Sequence, residues 1–319
     1  MASLFDRRLL AFSGKGGAGK STATAAFAVA AARAGKRVLV VEIGEHERIS
    51  RLFGAPPVGY GGAIVYRPGA AGAPPVTAMC ITASEALREY GMRTVRFETL
   101  YNAVFDNPVV RYFSAAAPAV QELNILGKIE SLHRESIDPA PGARFDLMLL
   151  DAPATGHAVA LFESPRLAMR LAQAGPIHAM VERVWRLVTD PVRTALNIVS
   201  LPQDVVVNES LEFAARIRAL GIPPGVVVVN GVYPDAFSQD EIDRATAGAA
   251  VSHSPLADTV VDAARSITAR RREQESMMAR LADGIPGPQV ILPLLAAGRI
   301  GRAEIEALAE HVAAGLANE

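Results

Sequence analysis

A chain of 319 residues, half of them hydrophobic, can bury a large core and allows one large α/β domain or two small ones. Its 32 basic and 33 acidic residues leave a formal net charge of −1, which gives no broad electrostatic footprint for nucleic acid. The lone cysteine, Cys80, excludes an internal disulfide and a multi-thiolate zinc or metalloid site within the chain, and it fits a reducing compartment. The N-terminus lacks the apolar run of a signal peptide, and no stretch reads as a bilayer span. A cytoplasmic protein without a stable membrane anchor is expected.

In chain order, Leu9–Ser13 is a short apolar run that ends at Gly14 and predicts a buried strand. The alanine-rich stretch Lys20–Arg33 predicts a helix closed by Gly35. Val38–Val41 is a second strand, so the first forty residues form a βαβ unit. Residues 54–75, with Pro56-Pro57, Gly61-Gly62 and Pro74-Pro75, predict loop, with a short hairpin of Ala63–Tyr66 and Val76–Ile81. Residues 84–137 carry mostly helical spacing. Phe145–Leu150 predicts a strand closed by Asp151, and Pro165 to about Val188 predicts helices broken near Gly175-Pro176. Ala195–Ser200, Val226–Val229 and Val290–Leu292 predict further strands, alternating with helices at Ser210–Leu220, Leu256–Leu281 and Ala303–Leu316. The whole pattern predicts a single α/β domain over 1–319: a doubly wound, mostly parallel sheet. A helical subdomain is inserted between strands as two excursions, about 84–137 and 165–193. Met169, Met180, Val184 and Trp185 on the second excursion are candidates either for core packing or for a client groove.

Gly14-Lys15-Gly16-Gly17-Ala18-Gly19-Lys20-Ser21 fits G-x-x-x-x-G-K-[ST], with a strand before it and a helix after it. Glycines let backbone N–H groups converge on phosphate oxygens, and the helix N-terminus adds its positive dipole end. Lys20 would reach the β/γ phosphates and Ser21 would bind Mg²⁺, within a nucleotide-binding stretch that runs to Thr22. Only four of the 32 basic residues are lysines, and two of those four lie in this loop. An apolar strand ending in Asp151 suits a carboxylate beside Mg²⁺.

The second lysine, Lys15, makes the loop resemble the deviant Walker A P-loop NTPases. Asp151-Ala-Pro-Ala-Thr-Gly-His157 resembles the Asp-Thr-Ala-Pro-Thr-Gly-His switch of one branch of that group, the arsenite-pump (ArsA)-like and tail-anchored-protein-targeting ATPases. The segments 117–128 and 201–209 look like parts of the bacterial members, so the resemblance covers most of the chain. It implies a dimeric ATPase using ATP and Mg²⁺, in which Lys15 reaches the partner's nucleotide; otherwise Lys15 is a solvated loop residue. It also implies that the 151–157 switch senses the γ-phosphate, with Gly156 as hinge and His157 as either a relay or a helix cap. Asn230, at the end of Val226–Val229, resembles the adenine-reading asparagine of these ATPases or else caps a helix. The loop holding Pro293 would flank the base on its other side.

One departure stands out. Where the branch usually carries Asp-Pro-Ala-His, whose Asp orients the attacking water, this chain reads Glu42-Ile43-Gly44-Glu45-His46 and places Gly44 at that position. Slow hydrolysis is expected, with Glu45 as the residue to reach back in place of the missing Asp. The Cys-x-x-Cys clasp of the eukaryotic targeting ATPases and the thiols of an arsenite site are also absent. The expected function is a dimeric Mg-ATP switch whose helical subdomain holds or releases a protein client. The other reading is a scarcely hydrolysing half of a heterodimer with a paralogous ATPase. An acidic C-terminal stretch with Glu304, Glu306, Glu310 and Glu319 argues against a membrane-cycling tail.

Overall fold

A computed structural model describes residues 4–69, 72–95, 119–137, 144–171, 174–252, 255–296 and 298–317. The elements run β1 (Leu9–Gly14), α1 (Lys20–Arg33), β2 (Val38–Ile43), α2 (Ile49–Leu52), β3 (Ala63–Tyr66), β4 (Val76–Ile81) and α3 (Ala83–Val95). They continue with α4 (Val120–Ile137), β5 (Leu147–Ala154), α5 (Thr155–Leu171), α6 (Gly175–Thr189), β6 (Thr194–Ser200) and α7 (Asp204–Ala219). The chain closes with β7 (Pro224–Val232), α8 (Gln239–Ser252), α9 (Pro255–Gly284), β8 (Gln289–Pro293) and α10 (Arg302–Ala317).

The eight strands form one sheet in the order β3-β4-β2-β5-β1-β6-β7-β8. Only the β3–β4 pair is antiparallel. The central strands are mainly apolar because helices cover both faces. On one face α1 and α10 pack over Phe12, Val40, Leu149 and Val228. Small alanines let α1 lie close to the sheet, and Phe27 reaches across to Phe12 with the rings edge to face at 4.9 Å between centroids. On the other face α4, α5, α6 and α7 pack over Leu9, Leu39, Met148 and Ile198.

The chain thus has the doubly wound α/β sheet that its strand pattern predicts, with three differences. First, β4 is a full sheet strand, paired in parallel with β2 from Val38–Val76 to Ile43–Ile81, and not only one arm of a hairpin. Second, α5 starts at Thr155 and continues through Pro165, so the second helical excursion begins ten residues before the sequence pattern suggests. Third, α8 carries no sequence signal strong enough to be expected; its Ala-Gly-Ala-Ala run has little apolar periodicity. Of the helical reading over 84–137, the stretch 96–118 lies outside the described residues. The four residues considered for a client groove belong with the core. Met180 and Val184 are buried in it, and Met169 and Trp185 pack against it.

A buried polar residue sets the register beside β1. Between β6 and β7, Leu196 faces Pro224 but Ile198 faces Val227, so β7 carries one extra residue. Asn197 fills the irregularity. Its side-chain carbonyl accepts the Val226 N–H at 3.0 Å, and its amide donates to the Ala11 carbonyl of β1 at 3.3 Å. A Cβ at Gly225 would overlap the same carbonyl oxygen. Asn197→Ala should therefore lower the unfolding free energy by about 1–3 kcal/mol, the cost of a buried unpaired donor. Urea unfolding measures it, and an unchanged midpoint would mean that β6 and β7 re-register freely.

Candidate functional site

The site lies where the sheet changes winding direction, because the neighbouring strands β1 and β5 send their connections toward opposite edges, β1 to β2 and β5 to β6. β1 ends at Gly14 and the chain turns through residues 15–19 into α1. The N-cap of α1 is Gly19, at φ 89°, with no side-chain cap. The left-handed backbone requires glycine there, and a Cβ would overlap the Asn230 amide nitrogen. The first-turn N–H groups of α1 therefore have no side-chain acceptor, and they open onto a cavity of about 810 Å³. Gly16, Gly17, Gly19, Lys20, Ser21 and Thr22 line it from the loop side.

The opposite wall carries the acids. Asp151 and Glu42 are cross-strand neighbours at the C-terminal ends of β5 and β2, exposed by only 7% and 3%. Ser21 donates its hydroxyl to Asp151 Oδ2 at 2.5 Å, while Asp151 Oδ1 is buried with no hydrogen-bond partner. Burial pushes the Asp151 carboxyl above its ordinary range, against the pull of the Ser21 bond and the Lys20 and Arg48 charges. Lys20 is itself buried, and desolvation lowers its pKa although the Asp151 charge raises it. Its ammonium donates to the Lys15 carbonyl at 3.2 Å. A serine hydroxyl beside a carboxylate with an unused oxygen fits a hard divalent cation such as Mg²⁺, which binds few protein oxygens and keeps several waters. Among the described residues no group of three or more His, Cys, Asp or Glu side chains could hold a metal by itself.

Glu42 is absent from the candidate residues named from the sequence, although its position was readable: like Asp151, it is an acid closing an apolar strand. Its two carboxylate oxygens accept the backbone N–H groups of Arg48 (2.7 Å) and Ile49 (3.1 Å), which fixes the loop after β2. Burial pushes its carboxyl up to about 7 in spite of those bonds. Glu45 is exposed and is not among the residues lining the cavity. Gly44 sits at φ 115°, its N–H on the Ile81 carbonyl (3.0 Å) and its own carbonyl accepting the Cys80 thiol (2.9 Å). Burial raises the Cys80 pKa to about 11, so the thiol stays protonated. His46, Arg48, Arg51, Arg299 and Ile300 are also among the lining residues, none of them proposed from the sequence as a site residue.

Three further candidates are engaged within the chain. Lys15 forms an ion pair with Glu209 of α7 at 2.9 Å, and Glu209 also accepts the hydroxyl of Thr155, the first residue of α5, at 2.6 Å. The Thr155 bond and then the Lys15 bond lower the Glu209 pKa. Glu209 had no sequence signal, because only the fold brings α7 to the loop. The Asn230 amide donates to the Ala18 carbonyl at 3.0 Å, tying β7 to the loop. Pro293 ends β8, and Leu294 bonds back to the Val232 carbonyl at 2.7 Å; the lining from this side comes from Arg299 and Ile300, a few residues on. Gly156 and His157 are exposed on the first turn of α5.

A glycine loop between a central parallel strand and an uncapped helix, facing a buried acid on the neighbouring strand, defines the P-loop ATPase class. A family model described as anion-transporting ATPase (ArsA ATPase) matches residues 7–174. The chain is 30% identical over 242 residues to "ATPase BagA" of Mycobacterium tuberculosis, covering 76% of this chain and 70% of that protein. It is 26% identical over 252 residues to a "Putative arsenical pump-driving ATPase" of Halobacterium salinarum, covering 74% and 37%. To an "Arsenical pump-driving ATPase" of Acidiphilium multivorum it is 26% identical over 247 residues, covering 73% and 40%. The chain belongs to the ArsA family of anion-transporting ATPases. No helix among the described residues is long and apolar enough to cross a membrane.

The Glu42 shift has a pH consequence. The folded value lies above the ordinary 4.5 of the unfolded chain. Its contribution to stability is thus complete below about 4.5 and lost as pH rises through about 7. The unfolding free energy of the nucleotide-free protein should fall by about 1–3 kcal/mol between pH 5 and pH 8. Glu42→Gln should flatten that slope in urea titrations at stepped pH, and an unaltered slope would show that ionising Glu42 costs nothing.

Proposed function

We propose that this protein is a dimeric Mg-ATP switch that hydrolyses ATP slowly, with its nucleotide state coupled through the helical layer α3–α6 to a client or partner. The observation that carries the reading is the Ser21–Asp151 contact with its unused carboxylate oxygen, placed under the open N-terminus of α1. The loop amides 16–20 and Thr22 would bind the phosphates, with Lys20 on the β/γ pair. Ser21 and Asp151 would hold Mg²⁺, which supplies positive charge to the β/γ oxygens when bound. Asn230 on one side and the segment after Pro293 on the other would flank the base.

Lys15 supports the switch. Its Glu209 partner also holds Thr155, and the α5 that begins there packs against α4 and α6. Transfer of Lys15 to a phosphate across a dimer interface would release Glu209 and loosen the start of α5. Slow turnover follows from the cleft's acids. Among the described lining residues only Glu42 and Asp151 are acidic. Glu42 has both oxygens engaged, and Glu45 would reach a nucleotide only if its loop rotated.

The position of Gly44 favours the second reading, a scarcely hydrolysing partner of a paralogous ATPase. At φ 115° an aspartate would be strained there, so this backbone is not the one that presents a water-orienting acid. Arsenical chemistry of the kind named for the pump relatives is not proposed for this chain, whose one thiol is buried and protonated.

Lys20→Ala should weaken Mg-ATP binding about 100-fold in calorimetry, the loss of a charge-assisted phosphate contact; equal affinity would overturn nucleotide binding at this loop. Lys15→Ala should still bind nucleotide but lose the ATP-dependent mass increase in light scattering. Glu209→Gln, which frees Lys15, should show that increase at lower ATP concentration. Dimerisation indifferent to both variants would remove Lys15 from the interface. Phosphate release that appears only when a paralogous chain is added would select the heterodimer.

A further inference from the structure

Beyond the loop lysine, the cleft contains a second cation with a built support. Arg48 lines the cavity with Lys20, Ser21 and Asp151. Its charge is felt at both functional groups: it adds to the burial that lowers the Lys20 pKa, and it opposes the burial that raises that of Asp151. It makes no ion pair with any described carboxylate. Its neighbour on the same wall differs. Arg51 donates to the Glu47 carbonyl at 2.5 Å.

The backbone under Arg48 is held from the core. Its N–H and that of Ile49 both bond the buried Glu42 carboxylate, which belongs to the sheet. The backbone that carries the side chain is thereby fixed, while the exposed guanidinium is free to move. A buried carboxylate with two backbone donors and an exposed arginine on the first donor is more than a solvated surface charge.

Strand order says which phosphate Arg48 would meet. The loop after β1 wraps one end of the site, Asp151 lies in the C-terminal half of the next strand, β5, and Arg48 follows β2, one strand further out. A polyphosphate seated with its inner groups on the loop amides and passing the Asp151 metal position ends at β2. A guanidinium offers two parallel N–H bonds to the oxygens of a terminal phosphate.

We propose that Arg48, anchored through Glu42, binds the terminal phosphate of a nucleoside triphosphate in cis and makes this chain discriminate triphosphate from diphosphate. The proposal rests on reading the cleft as a nucleotide site. Loss of the terminal phosphate removes the anion that Arg48 pairs with and returns the loop after β2 to an unliganded state, so the loop reports hydrolysis or exchange without a carboxylate at position 44. Arg48 is a binding and sensing residue here and transfers no proton.

The experiment titrates the full chain with Mg²⁺ and either ADP or the β,γ-imido analogue of ATP, by calorimetry. Wild type should bind the analogue more tightly than ADP. Arg48→Ala should lose roughly tenfold to hundredfold in affinity for the analogue while its ADP affinity stays within about threefold. Arg48→Lys should recover part of the loss. Because the backbone N–H at 48 survives both substitutions, thermal unfolding without nucleotide should be unchanged. Lys20→Ala should weaken both nucleotides and so tests the site itself. Equal losses for ADP and the analogue in Arg48→Ala, or no loss for either, would overturn the role of Arg48 while leaving the nucleotide site intact. If wild type binds neither, the site reading fails and Arg48 with it.

Discussion

The open N-terminus of α1 is the constraint around which the rest of the site is arranged. A helix normally satisfies its first N–H groups with a side-chain cap, and here the capping position is a left-handed glycine with no side chain to offer. The unsatisfied donors and the helix dipole are tolerated because the end faces a solvent-filled cavity that suits an anion. The neighbouring elements hold that end in place. Asn230 of β7 bonds the loop carbonyl at Ala18, the Lys20 ammonium closes back on Lys15, and Ser21 reaches the acid of β5. Alanines along the helix body let it sit close against the sheet that carries those partners.

The opposing wall is costly to make. Two carboxylates face each other on adjacent strands, toward their C-terminal ends, with almost no solvent contact, and both have raised pKa values because burial disfavours their charge. They are compensated differently. Glu42 is satisfied by backbone and fixes a loop; Asp151 is half satisfied by Ser21, with one oxygen left over. One acid has both oxygens engaged in holding a loop and the other keeps one oxygen unpartnered, a division that residue type alone does not reveal.

Most of the sheet was legible because a strand buried on both faces must be a continuous apolar run, as at Val38–Val41 and Val226–Val229. The glycine loop was legible because close backbone approach to phosphate dictates its residue types. The rest depended on contacts distant in sequence. Glu209 lies 194 residues from Lys15 and enters the site only because α7 packs against α5. Arg48 reads as one more arginine in an arginine-rich chain until the Glu42 bonds show its backbone held. Pro165 looked like a helix start, but α5 continues through it, with packing against α4 and α6 outweighing the lost N–H. The Gly44 substitution was visible, yet its positive φ and its bonds to β4 were not, and they show a loop path of its own.

The sheet ends in two short edges, β3 with four residues and β8 with five. Edges of that length present few free N–H and C=O groups, so a second copy gains little by extending the sheet sideways. Both broad faces are already covered by helices. The part of the sheet left open among the described residues is the rim at the C-terminal ends of the strands, where the glycine loop faces the cavity, so whatever occupies that cavity meets the sheet at the ends of its strands and not on a face or an edge.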